Sequence, residues 1–243
     1  MPEPEQGADA VSAEPALSAR AKPAGAPSEM LLELREIRSG YGDLIAVHSA
    51  SLSLRAATAT LLTGQNGAGK TSLSMAIAGL LPIYAGQVRW CGENLHPVPA
   101  HKRTARGLAL VQEGKQIFRE RSVHENLVIG ATVCRYSRTD LRTALARCYE
   151  QFPVLKRFQA KNAGLLSGGQ QQMLAIAQAV MGRPRLLIVD EPSAGLAPEM
   201  VGEVKEILRQ LVADGMCLLI IEQDPLIFAD LCTETIVMSQ GRC

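Results

Sequence analysis

The residues best suited to chemistry lie in one glycine-rich stretch, residues 64–71. Its sequence, GQNGAGKT, fits the phosphate-binding pattern G-x-x-x-x-G-K-[ST] at every specified position. Glycines let the backbone turn with its N–H groups pointing inward, and a following helix adds the positive end of its dipole. We therefore predict that this stretch binds nucleotide phosphates, with Lys70 at the β- and γ-phosphates and the Thr71 hydroxyl on Mg²⁺.

Adjacent carboxylates form a second set of candidate groups. Asp190 and Glu191 follow the apolar run at residues 186–189, so they lie at the carboxyl end of a predicted central strand. One of them can hold Mg²⁺ while the other activates water. Paired acids can also cap the next helix, but their combination with a phosphate-binding loop disfavours that interpretation.

Tyr41 is the third candidate, in a turn between predicted strands at residues 31–37 and 50–54. An aromatic ring shortly before a phosphate-binding loop can stack on adenine, and base stacking is typically worth about 1–3 kcal/mol. Packing of the ring on the edge of the sheet is the alternative. These residues alone support both interpretations equally.

The elements that position these groups follow from hydrophobic periodicity. Residues 59–62, before the loop, form an apolar run typical of a buried strand. After the loop, apolar residues recur with the spacing of one helical face, at Leu73, Ala76, Ile77 and Leu80. A glycine-rich turn before an ordinary helix is the alternative for the loop, and this context disfavours it.

Two sequences predict helix starts farther along the chain. Ser122 and Glu125 fit the capping box S-x-x-E and open a segment with helical periodicity, which we predict to be an inserted helical subdomain at about residues 115–165. Ser167 and Gln170 fit S-x-x-Q within LSGGQ, residues 166–170. Exposed N–H groups at a helix start that contains glycines also form an anion site.

Composition limits the classes of protein that fit. The chain has 243 residues, 47% of them apolar, which is enough for a substantial core. A formal net charge of +1 argues against a general nucleic-acid binder, which needs a clustered basic surface. The six cysteines show no C-x-x-C spacing, so we predict reduced thiols rather than disulfides or a zinc site.

Residues 1–29 differ from the rest of the chain. They are rich in Ala, Pro and Glu and lack the apolar segment of a secretory signal, so we predict a disordered tail before a domain that begins at residue 30. No apolar run approaches the roughly 18 residues needed to span a bilayer. If a membrane is involved, a partner must supply it.

Taken together and in this order, four motifs resemble those of the ATP-binding subunits of ABC transporters: the phosphate-binding loop, LSGGQ at residues 166–170, Asp190-Glu191, and the turn SAGL at residues 193–196. The resemblance covers residues 31–243. It implies an α/β fold, in which a P-loop NTPase core with a mixed sheet flanked by helices carries an N-terminal antiparallel β portion and an inserted helical subdomain.

The resemblance also implies the residues of an ATP and Mg²⁺ site. The implied nucleotide contacts are Tyr41, Gly64, Gln65, Asn66, Gly67, Ala68, Gly69, Lys70, Thr71, Ser72 and Glu113, with Leu166, Ser167, Gly168, Gly169 and Gln170 closing over the phosphates of a second subunit. The implied metal ligands are Thr71, Asp190 and Glu113. The implied catalytic residues are Glu191 and Gln223. Glu113 occupies the position of the family's usual glutamine, and Gln223 that of its usual switch histidine.

Within this family, the chain is most similar to the ATPases of branched-chain amino acid importers, and urea importers share the likeness. The similar segments are residues 111–115, 125–127, 191–198 and 221–223. This subgroup usually has Pro and Leu where the chain has Arg119 and Arg121, beside the surface expected to meet the permease.

Such a protein is implied to act on the cytoplasmic face of the inner membrane as a peripheral subunit. Its implied partners are transmembrane permease subunits, a second identical or similar ATP-binding subunit and, indirectly, an external solute-binding protein, with no nucleic acid. A soluble ABC-type ATPase acting on DNA or ribosomes without a permease is the alternative. The compact segment between Thr71 and Leu166 disfavours the DNA-repair members, and a chain with room for one nucleotide domain disfavours the ribosomal members. Intact Lys70, Asp190 and Glu191 disfavour a non-hydrolysing regulatory relative.

Relatives in this family normally continue past a strand at residues 235–238 with another strand and a helix. We therefore expect the sequence to stop short at Cys243. The expected consequence is that Ile236 and Met238 lose apolar neighbours.

Overall fold

The structure is a computed structural model that describes residues 29–243, so the predicted tail lies outside the described residues except for Glu29. In the described part, the strands are β1 (Met30–Tyr41), β2 (Leu44–Arg55), β3 (Ala59–Thr63), β4 (Ile83–Trp90), β5 (Glu93–Asn94), β6 (Leu108–Val111), β7 (Leu186–Asp190), β8 (Cys217–Glu222) and β9 (Glu234–Val237). The α-helices are α1 (Lys70–Ala78), α2 (Ala100–Ala105), α3 (Val123–Ala131), α4 (Arg138–Gln151), α5 (Pro153–Arg157), α6 (Gly168–Val180) and α7 (Pro198–Ala213).

A five-stranded parallel sheet in the order β6-β7-β8-β3-β9 forms the centre of the molecule. Every residue of β3, β7 and β8 is buried, which is typical of parallel strands covered by other elements on both faces. The carboxyl ends of parallel strands share one edge of the sheet. The loop after β3, the acids at the end of β7 and the residues that end β8 therefore lie along the same edge.

A second, antiparallel sheet has the order β2-β1-β4-β5 and confirms the predicted N-terminal antiparallel portion. Its first two strands are longer than the sequence predicts, because β-bulges let irregular stretches keep pairing. The turn between them is correspondingly tight, at Gly42 and Asp43.

Helix α1 packs between the two sheets in one hydrophobic core. Leu73, Ala76 and Ile77 are buried there as predicted, but the prediction for Leu80 is wrong. The helix ends at Ala78, and Gly79 takes a left-handed conformation with φ 80°. Leu80 therefore leaves the helical face and is 52% exposed.

The opposite face of the parallel sheet carries the second core, which contains residues of α3 to α7. All regular elements between residues 115 and 165 are helical. Both predicted capping boxes are confirmed, at Ser122 with Glu125 and at Ser167 with Gln170. Among residues 29–243, no helix is both long and apolar enough to cross a membrane.

After β9 the chain folds back onto β2. The backbone N–H of His48 donates to the carbonyl of Gly241 at 2.7 Å, and the N–H of Cys243 donates to that of Ser49 at 3.2 Å. Met238 is consequently only 1% exposed, so the expectation that it would lose its neighbours is wrong. Ile236 is partly buried and packs against the same core.

A buried arginine closes the C-terminal end of α1. Arg103 of α2 is 3% exposed, and its guanidinium donates to the carbonyls of Ala76 (2.9 Å) and Ile77 (2.8 Å). It also donates to the carbonyls of Val98 (2.8 Å) and Leu95 (2.9 Å). The last carbonyls of a helix have no partner within the helix and carry its negative dipole end, which a cation stabilises.

We expect Arg103→Met to lower the free energy of unfolding by at least about 2 kcal/mol, because a buried acceptor left without a donor costs about 1–3 kcal/mol. Urea denaturation measures the change. Arg106→Met is the matched control, since Arg106 makes an exposed ion pair with Glu93 and its loss is expected to cost less than about 1 kcal/mol. Equal losses in the two variants would contradict the structural role of Arg103.

Candidate functional site

The glycine-rich loop joins β3 to α1 with the geometry that its sequence predicts. Gly64 and Gly69 have φ values of 155° and 102°. A Cβ at Gly64 would lie 2.1 Å from the carbonyl oxygen of Met238, and one at Gly69 would lie 2.5 Å from that of Ala46. Only glycine fits at these two positions, because the neighbouring atoms belong to the backbone. A cleft of about 340 Å³ borders the loop, lined by residues 64–68 and 237–240.

The loop contains both buried residues, which support its backbone, and exposed residues, which solvent can reach. Lys70 is 5% exposed, and its ammonium donates to the carbonyls of Gly64 (2.7 Å) and Gln65 (3.2 Å). Ala68 is also buried, whereas Gln65, Asn66 and Gly67 are exposed at the rim and Ser72 is partly buried in α1. The loop thus holds a cation beneath an accessible row of backbone groups, an arrangement that suits an anion.

Asp190, at the end of β7, is 1% exposed, and neither of its carboxylate oxygens accepts a hydrogen bond of normal geometry from the described residues. Burial raises the pKa of Asp190 to about 6, and the nearby Glu191 and Glu113 carboxylates act in the same direction. The Thr71 hydroxyl and the Lys70 ammonium lower this pKa. The structure therefore brings these predicted residues of the loop and of the strand ends into one electrostatic environment.

Glu191 begins the turn after β7 in an unusual backbone conformation, with φ 48°. Its N–H donates to the carbonyl of Ile221 at 2.9 Å, which ties the turn to the end of β8. Next along β8, buried Glu222 accepts a hydrogen bond from the N–H of Ser193 at 2.9 Å. Burial raises the pKa of Glu222, whereas its hydrogen bonds with Ser193 lower it. Gln223 follows in an exposed position.

Tyr41 ends β1 with half of its surface exposed, and its hydroxyl lies 3.4 Å from the Met75 sulfur of α1. The ring is therefore accessible rather than covered by the sheet edge. Sequence reasoning missed a second tyrosine beside it. The Tyr84 hydroxyl lies 3.0 Å from the carbonyl oxygen of Gly42 and 3.3 Å from that of Gly40, so it holds the backbone on both sides of Tyr41.

The LSGGQ residues lie apart from the loop. Leu166 and Gly169 are buried, whereas Ser167 and Gly168 are exposed at the start of α6. A Cβ on Gly168 would lie 3.3 Å from the Lys115 ammonium nitrogen, and its other near neighbours are Gly195 and Leu196. In the described chain, none of residues 166–170 lines the cleft beside the phosphate-binding loop. Within one chain the two motifs therefore do not line the same cleft.

Comparison with known proteins assigns the family. The family profile described as ABC transporter matches residues 47–194. The chain is 34% identical over 212 residues to the high-affinity branched-chain amino acid transport ATP-binding protein BraG of Pseudomonas aeruginosa, covering 87% of this chain and 90% of that protein. It is 30% identical to the probable branched-chain amino acid transport ATP-binding protein LivF of Archaeoglobus fulgidus, with 80% and 82% covered.

Solved structures agree with this assignment. The fold is similar to that of a nucleotide-free ATP-binding cassette from an ABC transporter, with a TM-score of 0.79, 26% identity, and 88% of this chain and 89% of that chain covered. A cassette in its ADP conformation is similar with a TM-score of 0.76 at the same identity and coverage. Because the profile matches more than half of the chain and BraG exceeds 30% identity across most of it, the chain belongs to the ATP-binding family of ABC transporters, whose members hydrolyse ATP.

Proposed function

We propose that this chain is the ATP-hydrolysing subunit of an importer for branched-chain amino acids, or for a related small polar solute such as urea. The meeting of the phosphate-binding loop with Asp190 and Glu191 at one sheet edge carries the ATPase part of this proposal. The names of BraG and LivF support branched-chain amino acids as the solute. No described feature favours the alternative, a soluble ATPase that acts without a permease.

ATP binds with its adenine on the exposed ring of Tyr41 and its phosphates in the loop. Backbone N–H groups of residues 64–70 surround the phosphate oxygens, with Ser72 and Glu113 at the edge of the site. Lys70 is the buried cation for the β- and γ-phosphates. Its present hydrogen bonds to two loop carbonyls hold the ammonium at the floor of the loop, so the charge is in position before the phosphates arrive.

Mg²⁺ fits the oxygen groups at the end of β7. Buried carboxylate oxygens without a partner are costly, and a hard divalent cation is the kind of group that relieves the cost. Among residues 29–243 no cluster of three His, Cys, Asp or Glu side chains can hold a metal alone, which agrees with a site completed by Thr71 and phosphate oxygens. Thr71, Asp190 and Glu113 are the residues that would hold the ion. When bound, Mg²⁺ neutralises negative charge on the β- and γ-phosphates.

Glu191 is the general base that accepts a proton from the attacking water. Gln223 lies one residue beyond Glu222 and contacts the γ-phosphate from the end of β8. Residues 166–170 complete the site from a second subunit, because in one chain they lie away from the cleft beside the loop. Their exposed N–H groups at the start of α6 close over the phosphates held by the partner.

A largely apolar groove of about 320 Å³ suits a segment of the permease. It runs between β6, α3 and α6, and the exposed side chain of Leu80 lines it. Gln112, which immediately precedes Glu113, also lines it. A permease segment in the groove would therefore touch the strand end that leads into the nucleotide site. The chain would then bind at the cytoplasmic face of the inner membrane, with a solute-binding protein acting outside.

Lys70→Ala is expected to weaken ATP binding and abolish hydrolysis, because it removes the ammonium group that contacts the β- and γ-phosphates. Glu191→Gln is expected to bind ATP normally but hydrolyse it about 10² to 10⁴ times more slowly, the usual worth of a general base. Isothermal titration and single-turnover hydrolysis measure the two effects. Lys102→Ala, an exposed lysine on α2, is the control.

The same variants test the solute. Uptake of labelled leucine by cells that depend on this gene should fall in Glu191→Gln and persist in Lys102→Ala. Normal leucine uptake in Glu191→Gln cells would contradict the branched-chain amino acid assignment, and loss of labelled urea uptake instead would support the related solute. Unchanged hydrolysis in both Lys70→Ala and Glu191→Gln would refute the ATP site itself.

Asp190→Asn is expected to stabilise the metal-free protein at pH 8. The pKa of Asp190 rises from 3.8 to about 6 on folding, so above pH 6 the folded state holds a charge that costs about 3 kcal/mol relative to the unfolded state. The gain should fade between pH 6 and pH 4, where the wild-type carboxyl becomes protonated. Urea denaturation with a chelator measures it, and Glu203→Gln on exposed α7 should show no such gain. A less stable Asp190→Asn protein at pH 8 would contradict the argument.

Tyr41→Ala is expected to raise the Kd for ATP about tenfold or more, from a lost stack of about 1–3 kcal/mol. Tyr84→Phe removes only the hydroxyl that holds the backbone around Tyr41, and is expected to raise it about 2- to 10-fold. Inorganic tripolyphosphate, which has no base, is the control ligand, and neither variant should change its affinity. Unchanged ATP affinity in Tyr41→Ala would return the ring to a purely structural role.

A further inference from the structure

The candidate general base begins a strained turn. Glu191 has φ 48°, in the left-handed region that residues other than glycine rarely adopt. Such a conformation is energetically unfavourable and persists only where surrounding contacts hold it. The direction of the Glu191 side chain therefore depends on whatever fixes the backbone of this turn.

At the start of the turn, residues 191–194, two hydrogen bonds to backbone acceptors and one to a side-chain acceptor hold the backbone. The N–H of Glu191 donates to the carbonyl of Ile221 at 2.9 Å, and the N–H of Ala194 donates to the carbonyl of Glu191 at 3.1 Å. The third runs from the N–H of Ser193 to Oε1 of Glu222 at 2.9 Å. Sequence changes leave the two backbone acceptors in place, so Glu222 is the contact that depends on residue type.

A buried glutamate is unfavourable at a position where the side chain only fills space. Glu222 is 4% exposed at the end of β8, where the five preceding residues of the strand are apolar and buried. Burying a carboxylate carries a large desolvation cost unless it accepts hydrogen bonds, and an apolar residue would avoid that cost. A side-chain oxygen at this position accepts a hydrogen bond from an N–H group, which an apolar residue cannot do. The chemistry of Glu222 therefore suits holding the Ser193 N–H.

We propose that Glu222 is a positioning residue for ATP hydrolysis: by anchoring Ser193, it fixes the left-handed turn that directs the Glu191 carboxylate toward the attacking water. The inference rests on the proposed role of Glu191 as general base. Glu222 touches neither the nucleotide nor the water in this assignment. Two neighbouring residues at the end of β8 thus have different roles. Glu222 positions the general base, and Gln223 occupies the position of the family's usual switch histidine.

The test compares three replacements of Glu222 in the full-length chain. Glu222→Ala removes the acceptor, and Glu222→Asp withdraws it by one methylene while keeping the charge. Glu222→Gln keeps an acceptor oxygen at the original reach. We expect the first two to lower kcat about 10²-fold, the scale of a displacement of about 1 Å at a reacting group, with the KM for ATP within about twofold of wild type. Glu222→Gln should recover kcat to within about fivefold of wild type.

Glu191→Gln provides the background that separates positioning from general damage. In that background Glu222→Asp should not slow the residual hydrolysis further, because the base it positions is absent. A further loss of the same factor would overturn the proposal, as would wild-type kcat in both Glu222→Ala and Glu222→Asp. If Glu222→Ala fails to fold, the comparison of Glu222→Asp with Glu222→Gln is sufficient. An equal loss of kcat in these two variants would overturn the positioning role of Glu222. Failure of the proposed function gives a different result, wild-type hydrolysis in Glu191→Gln.

Discussion

Parallel pairing of β7, β8 and β3 is the constraint on which the site depends. The register pairs Asp190 with Ile221 and Thr63 with Glu222, so the three strands end within one residue of the same level. A slip of one residue in any of them would turn its terminal side chain to the other face of the sheet. All residues of these strands are buried, so a change of register would disrupt the apolar packing on both faces of the sheet. The relative positions of the loop, the acid pair and the end of β8 are consequences of packing far from the chemistry.

Charged side chains are buried at this edge of the sheet. Among residues 29–243, no group donates a hydrogen bond of normal geometry to the buried Asp190 carboxylate, and the buried Lys70 ammonium donates to two carbonyls of its own loop. Buried polar groups usually have partners, so an unpartnered carboxylate marks a place where the chain gives up stability. Positioned charges of this kind favour ligands of opposite charge without reorganisation when the ligand arrives. In the proposed function, binding of the phosphates and the cation would return the stability that the buried charges cost.

The sequence predicts the parts of the site that depend on contiguous residues. The phosphate-binding loop, the acid pair after β7 and both capping boxes are local patterns, and the structure has each of them where the sequence indicates. Tyr84, Arg103 and Glu222 could not be found in this way, because their partners are 42, 27 and 29 residues distant. Each acts through a backbone group, which carries no residue signature to match. They stand out only once the fold brings the two segments together.

The two wrong predictions about apolar residues share a cause. Leu80 was placed on a helical face by spacing, but the chain leaves the helix at Gly79. Met238 was expected to lose neighbours, but residues 239–243 return to β2 and keep it buried. In both, a local change of backbone direction decides burial, and hydrophobic periodicity does not encode that direction.

The Arg103 guanidinium has a mechanical consequence for the helix that follows the loop. One rigid planar group bonds α1 through Ala76 and Ile77 and also bonds the segment before α2 through Leu95 and Val98. Neither helix can slide along its axis independently without breaking buried hydrogen bonds. Since α2 leads through Gly107 directly into β6, a shift of α1 must be transmitted to the strand whose far end carries Gln112 and Glu113. The helix that follows the phosphate-binding loop and the wall of the apolar groove are therefore mechanically coupled.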